Sequence, residues 1–330
     1  MCTRTQIKII PYLISVLALC LQCNPYSLPE NKFSQGETAF TVYQKALDEY
    51  KTGEVDEALV LIKQALTMNS GVAYFHELEG DIYRKKGDYR NALTSYERAT
   101  TLRSNYPEVY RSQAEIYIAL GAHGEAIKSY KKIIANDPTR IKVYLNIAEQ
   151  YAAIREYAVA LNSLADYRRE KMAFGEEPES SYYKIRGQIY LSQKLYREAI
   201  PDLKRFNDLE PDHLEGLALL GACYYAVDEY ENGLVYFNRL IRLDENNGKW
   251  YMYRGIYFFK KNDLNDAEGQ FRFALELDPS LYATHYYLGK IYKLRGEVES
   301  ALEELRLYRQ YMPATVGEDD REPIPEILFD

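Results

Sequence analysis

Cysteine is almost missing from the body of this 330-residue chain: Cys2, Cys20 and Cys23 crowd the first 23 residues, and only Cys223 lies beyond them. No disulfide framework can staple such a body. Positive charge is in deficit, since 41 Lys and Arg face 49 Asp and Glu for a formal net charge of -8 and a pI near 5.3. That balance removes the pull toward phosphate backbones and excludes a nucleic-acid partner. A membrane-spanning apolar run is lacking too: the uncharged stretch Ile9 to Leu21, interrupted by Pro11, reaches only about 20 Å as a helix against a hydrocarbon core of roughly 30 Å. Catalytic signatures are equally scarce. There is no HExxH, paired CxxC, nucleophile elbow or glycine-rich phosphate loop, and His76, His123, His213 and His285 stand far apart in sequence. The expectation is a chain with no enzymatic activity, no metal and no cofactor.

What is present divides into two kinds of text. Met1 to Lys8 carries Arg4 and Lys8 and no acid, a basic n-region ahead of the apolar h-region. The run Leu17-Ala18-Leu19-Cys20-Leu21-Gln22-Cys23-Asn24 resembles a bacterial lipoprotein signal, in which an apolar residue precedes the acylated cysteine by three or four positions. The resemblance implies an exported protein of the bacterial cell envelope, lipidated at Cys23 (or Cys20), with the outer membrane favoured over the inner. Three acyl chains would exceed the two signals that stable anchoring takes. Plain secretion and an uncleaved anchor are the alternatives. Residues 1–23 thus read as a signal and 24–38 as a polar tether.

The remainder is periodic. With 47% hydrophobic and 27% charged residues the whole chain has the composition of a folded soluble protein, and 33 of its 330 residues are tyrosines. From Ala39 it falls into eight windows of 34 residues: 39–72, 73–106, 107–140, 141–174, 180–213, 214–247, 248–281 and 282–315. Only Gly175 to Glu179 interrupts the phase. Each window holds two amphipathic stretches and a turn such as Lys86-Gly87-Asp88-Tyr89. The eighth position is always small, from Ala46 and Gly80 to Gly255 and Gly289, and so is the twentieth, from Ala58 and Ala92 to Gly233, Ala267 and Ala301. Helices approach closely only where neither carries bulk. An aromatic follows at the eleventh position in seven windows, Tyr83, Tyr117, Tyr151, Tyr190, Tyr224, Phe258 and Tyr292, and a large apolar or aromatic residue at the twenty-fourth. Pro138, Pro211 and Pro279 stop the second stretch, because proline cannot continue a helix.

On these residues the chain resembles the tetratricopeptide repeat (TPR) family. The resemblance implies an all-α, right-handed superhelical solenoid of about eight TPR helix-turn-helix repeats, with first helices lining a concave groove. It also implies a non-enzymatic scaffold or adaptor that binds a protein or peptide in that groove, in envelope assembly, secretion or pilus-type systems. An accessory regulator that docks a peptidoglycan hydrolase or synthase is the alternative. Stacking follows independently, since one helix pair cannot bury its own apolar stripe.

Family positions that face the groove give two characters. Windows two to five place charged and polar residues there, among them Glu77, Asp81, Arg84, Glu149, Lys184 and Gln188. Windows six to eight place Tyr225, Met252, Tyr253, Ile256, Phe259, Tyr286 and Tyr287, fringed by Lys249, Lys260, Lys290 and Lys293. That set suits an acidic and apolar peptide, tyrosine supplying contact area at low entropy cost. The same aromatics also fit an inter-repeat core, because a one-residue shift in register turns a helical position by about 100°. After Pro313, residues 316–330 form an acidic, proline-containing tail ending Ile324-Pro325-Glu326-Ile327-Leu328-Phe329-Asp330. Its apolar residues fit the last repeat or the lysine-fringed groove.

Overall fold

Amphipathic stretches separated by glycine-bearing turns dictate paired helices. The computed structural model, which describes residues 38–312, carries sixteen α-helices and no strand among those residues. The signal with Cys20 and Cys23, the tether up to residue 37 and the tail 316–330 lie outside the described residues. No described helix is long and apolar enough to cross a membrane.

The chain divides into two compact units between Ser104 and Asn105. The first holds α1 (Ala39–Thr52), α2 (Val55–Met68), α3 (Ala73–Lys85) and α4 (Tyr89–Leu102). The second holds α5 (Pro107–Ala119), α6 (His123–Asn136), α7 (Val143–Ala153), α8 (Tyr157–Ala173), α9 (Ser180–Ser192), α10 (Tyr196–Leu209), α11 (Leu214–Ala226) and α12 (Tyr230–Leu243). It continues with α13 (Gly248–Lys260), α14 (Leu264–Leu277), α15 (Tyr282–Arg295) and α16 (Val298–Tyr311). Within each unit every odd-numbered helix packs on the even-numbered one that follows, and the pairs stack into an all-α solenoid. Within each unit first helices also touch each other across neighbouring pairs, α1 on α3 in the first and α7 on α9 and α13 on α15 in the second.

Small residues set the spacing inside each pair. A methyl group added at Gly80 would stand 2.5 Å from the Tyr96 ring, one at Gly255 2.6 Å from Phe271, and one at Gly221 2.9 Å from Phe237. The eighth position therefore receives the twenty-fourth, and glycine lets a full aromatic ring lie against a helix backbone.

The turn inside each pair repeats one device. Gly53, Gly87, Gly121 and Gly296 have positive φ there, and so do Arg155, Lys194, Asp228 and Asn262 at the same slot, with φ from 58° to 62°. The following N–H then reaches back to the carbonyl of the eleventh position, as in Asp88 to Tyr83 at 2.9 Å and Leu195 to Tyr190 at 2.9 Å. This is the Schellman closure of a helix C-terminus. Where the slot lacks glycine, a left-handed conformation costs on the order of 1–2 kcal/mol.

The break in phase is absorbed locally. Helix α8 runs 17 residues, and the buried Lys171 at its end binds Glu176 at 2.5 Å and Glu179 at 3.4 Å. Lys142, just before α7, meets the same Glu179 at 3.0 Å. Next to this loop Arg186 pairs bidentately with the buried Asp202 and donates to Tyr182 Oη at 2.7 Å.

Candidate functional site

The candidate binding residues expected from the sequence lie on the first helices, at positions set by helical spacing. In the last three repeats the structure moves most of the expected aromatic lining inward. Tyr225, Met252, Tyr253, Ile256 and Tyr287 are all buried, Tyr253 to 1% exposure, in one apolar cluster. They build the wall of the face rather than its surface.

The reason is a chain of stacked rings running between repeats. Tyr253 stacks on Phe237 of the preceding second helix at 4.3 Å, and Tyr287 stacks on Phe271 at 5.4 Å in the same way. Tyr225 is drawn in by Gly233, whose missing side chain leaves the space its ring fills. Its hydroxyl donates to the Tyr253 carbonyl at 3.0 Å. Burial pushes the phenol pKa of both Tyr225 and Tyr253 above the ordinary tyrosine range, so both stay neutral donors. Gly233 departs from an otherwise all-alanine twentieth position, and that departure is the sequence signal that Tyr225 would turn inward.

What stays at the surface of this region is smaller. Phe259 is half-buried, edge-on to Tyr287 at 5.4 Å. Tyr286 is half-buried, with the Lys290 ammonium 4.6 Å from its ring centre and Tyr308 5.4 Å away. Lys260 is exposed and lies over Tyr230 at 5.5 Å, Lys293 is exposed, and Lys249 is half-buried. Two rings and four ammonium groups therefore make up the open part of the expected patch.

In the middle of the second unit the polar residues of this face bind one another. Lys184 donates to Glu215 at 2.5 Å, and Gln188 donates to the other oxygen of the same carboxylate at 3.0 Å. These are struts between α9 and α11. Glu149 is exposed, and desolvation still raises its carboxyl pKa, with Lys184 pulling the other way.

The first unit holds an aromatic surface that the positional reading passed over. Phe40 is 52% exposed and Tyr74 39%, and Tyr43 bridges them, stacked on Phe40 at 6.2 Å and edge-on to Tyr74 at 4.9 Å. Lys85 lies over Tyr50 at 4.9 Å. Burial, then the charge of Glu77, raises the Tyr43 phenol pKa, so an acidic margin adjoins these rings. The signal was available: Phe40, Tyr43, Tyr50 and Tyr74 take the same positions in the first two windows that identified the later patch.

The remaining reactive side chains are occupied structurally. Cys223 is buried, and burial pushes its thiol up to about 12, away from thiolate chemistry. The His76 ring meets the Ser70 carbonyl at 2.9 Å, His123 meets Gln150 at 2.9 Å, and His285 meets Glu304 at 2.7 Å. His213 caps α11 by accepting from Gly216 N–H. Among the described residues no three His, Cys, Asp or Glu side chains gather as metal ligands.

Comparison with known proteins supplies the family. A TPR repeat model matches residues 80–121, and tetratricopeptide repeat models match 107–140 and 254–314. Among solved structures, the C-terminal part of a TPR repeat-containing protein from Cytophaga hutchinsonii is similar at 18% identity. The match covers 72% of this chain and 95% of that one, with a TM-score of 0.61. A tetratricopeptide repeat protein from Parabacteroides merdae is similar at 15% identity, over 82% of this chain and 98% of that one, with a TM-score of 0.55. At these identities the likeness is one of fold. No curated protein matches the sequence.

Proposed function

This chain belongs to the tetratricopeptide repeat family, whose fold is that of a protein–protein interaction scaffold, and on that premise we propose that it is a non-enzymatic adaptor of the bacterial cell envelope. In this reading it is tethered through a lipid on Cys23 or Cys20, outer membrane favoured, and holds an acidic, apolar segment of a partner protein on the first-helix face of its last repeats. One observation carries the partner's chemistry: Tyr286 and Phe259 are left open on that face among Lys249, Lys260, Lys290 and Lys293. An aromatic flanked by ammonium groups favours apolar contact with carboxylates beside it.

Pull-down from an envelope extract tests the reading, comparing wild type with Tyr286→Ala combined with Lys290→Glu. The variant is expected to lose at least one partner that wild type retains. An identical partner list would remove this face from consideration. Recovery of a peptidoglycan hydrolase or synthase by wild type alone would favour the regulatory reading over the assembly one. The anchor is tested separately by metabolic labelling with a fatty acid, which Cys20→Ala with Cys23→Ala is expected to abolish.

A further inference from the structure

At three junctions between repeats, a long cationic side chain from the second helix of one pair meets the aromatic ring of the first helix that follows. The twenty-fifth position supplies the cation and the eleventh supplies the ring. Lys63 stands 5.5 Å from the Tyr83 ring centre, and Lys131 stands 5.3 Å from that of Tyr151 and donates to its hydroxyl at 2.8 Å. Arg272 donates to the Tyr292 hydroxyl at 2.8 Å. In the fourth window the twenty-fifth position is Ala165, where every other window has a long or polar residue. A methyl group is too short to cover Tyr190, the matching ring, and a cavity of about 350 Å³ opens there between α8 and α9, with Leu161, Met172 and Tyr190 in its lining.

The charged lining of this cavity is all of one sign: Arg168, Arg169 and Arg186, with no carboxylate among them. The acids that pair with these arginines lie outside the lining. Asp202 is buried and holds Arg186, while Asp166 and Glu170 hold Arg169. Arg168 is exposed and has no ion pair among the described residues. It also departs from the repeat, because Leu66, Ile134, Ile241 and Leu275 take the same twenty-eighth position elsewhere. The corresponding groove between α14 and α15 is its opposite. Glu268 replaces Leu161 there, Arg272 occupies the seat over the ring, and Glu299, Glu303 and Glu304 line the edge. We propose that the cavity between α8 and α9 binds a carboxylate on an apolar stem, as carried by an acidic peptide, separately from the first-helix surface of the last repeats. The stem lies against Met172 and the Tyr190 ring, where sister repeats lay their own lysine or arginine, and Arg168 meets the carboxylate. A cationic ligand would fill the same space but would face three guanidinium groups and no acid in the lining.

The test titrates the full chain, isotope-labelled at its methionine methyl groups, with hydrocinnamate and with the uncharged hydrocinnamide. The Met172 signal is expected to move, and the acid to bind about threefold to fivefold more tightly than the amide. Arg168→Gln is expected to remove that preference while the amide still binds. Ala165→Lys restores the side chain that sister repeats use, and is expected to abolish the Met172 response with the thermal midpoint unchanged or raised. This variant adds positive charge, so binding as tight as in wild type, or tighter, would reveal a diffuse attraction and overturn the proposal. A Met172 signal that ignores the acid, or that answers acid and amide equally in wild type, would overturn it as well.

Discussion

The first-helix faces of the two ends of this protein begin from similar sequence and finish differently. In the first unit Phe40, Tyr43 and Tyr74 form a ledge of rings at the surface beside Glu77. In the last repeats Tyr225, Tyr253 and Tyr287 sink between the pairs, leaving Tyr286 and Phe259 among lysines. What lies opposite decides the outcome. Tyr253 and Tyr287 find a flat ring from the preceding second helix to stack on, and Tyr225 finds the gap at Gly233. A groove position is thus a property of two repeats, and the charges left beside the rings are mixed in the first unit, with Glu77 and Lys85, and mainly lysine in the last repeats.

The sharpest break in the comparison is truncation of one ring from each class. Tyr253→Ala is expected to cost about 3–5 kcal/mol, as for other large buried aromatics, and Tyr74→Ala to stay within about 0.5 kcal/mol. Urea unfolding of both variants measures the difference, and equal losses would show that the ledge is also core. Next in size is charge. With an octapeptide alternating tyrosine and glutamate as probe, Lys290→Glu plus Lys293→Glu is expected to weaken binding about tenfold, or about 1.4 kcal/mol, and to flatten its salt dependence. Glu77→Lys in the first unit is expected to leave that affinity unchanged or to improve it.

A smaller effect concerns the turns. The first unit uses glycine at both of its positive-φ slots, whereas four consecutive repeats of the second use Arg155, Lys194, Asp228 and Asn262. Lys194→Gly is expected to gain about 0.5–1 kcal/mol once relief of left-handed strain is set against the extra freedom of the unfolded chain. The matching change Gly87→Lys should lose a similar amount, both read by chemical unfolding. Smallest is a pH effect at Glu149. Desolvation raises its pKa in the folded protein, so folding favours the protonated form. Its contribution is fullest below the unfolded-state pKa and is lost as pH rises through the folded one. Glu149→Gln is expected to stabilise by no more than about 0.5 kcal/mol at pH 7 and to make no difference at pH 3. A gain that persisted at pH 3 would place its origin outside this titration.

Most of the fold was legible because it rests on what side chains cannot be. A helix pair that brings Gly80 under Tyr96 tolerates nothing larger at that slot, so the constraint is written directly as small residues at fixed spacing. The turn was half legible. Gly87 and Gly296 announce a positive φ, but Arg155 and Lys194 adopt the same conformation without any mark in the sequence. Legibility was least at the candidate site. The fate of Tyr253 depends on Phe237, sixteen residues away and in another repeat, which no property of its own helix encodes. The lysines were easier to place, since a charged head seeks solvent wherever its stem lies. Phe40 and Tyr74 stay 52% and 39% exposed even though Tyr43 lies against both rings, and no property of their own helices encodes that outcome either.

The loop after α8 has a meaning for how this chain tolerates change. Five residues, Gly175 to Glu179, are added there, and the periodic residues resume at Ser180 as though nothing intervened. The extra length is held by a lysine clasp, Lys171 on Glu176 and Glu179, while the flanking pairs keep their packing. Elsewhere in the second unit a single inserted residue would turn every later contact of its helix by about 100°. Here length can vary without being transmitted, which makes this loop the array's natural splice, the place where a tag, a probe or a further loop could be added while the stack on either side keeps its register.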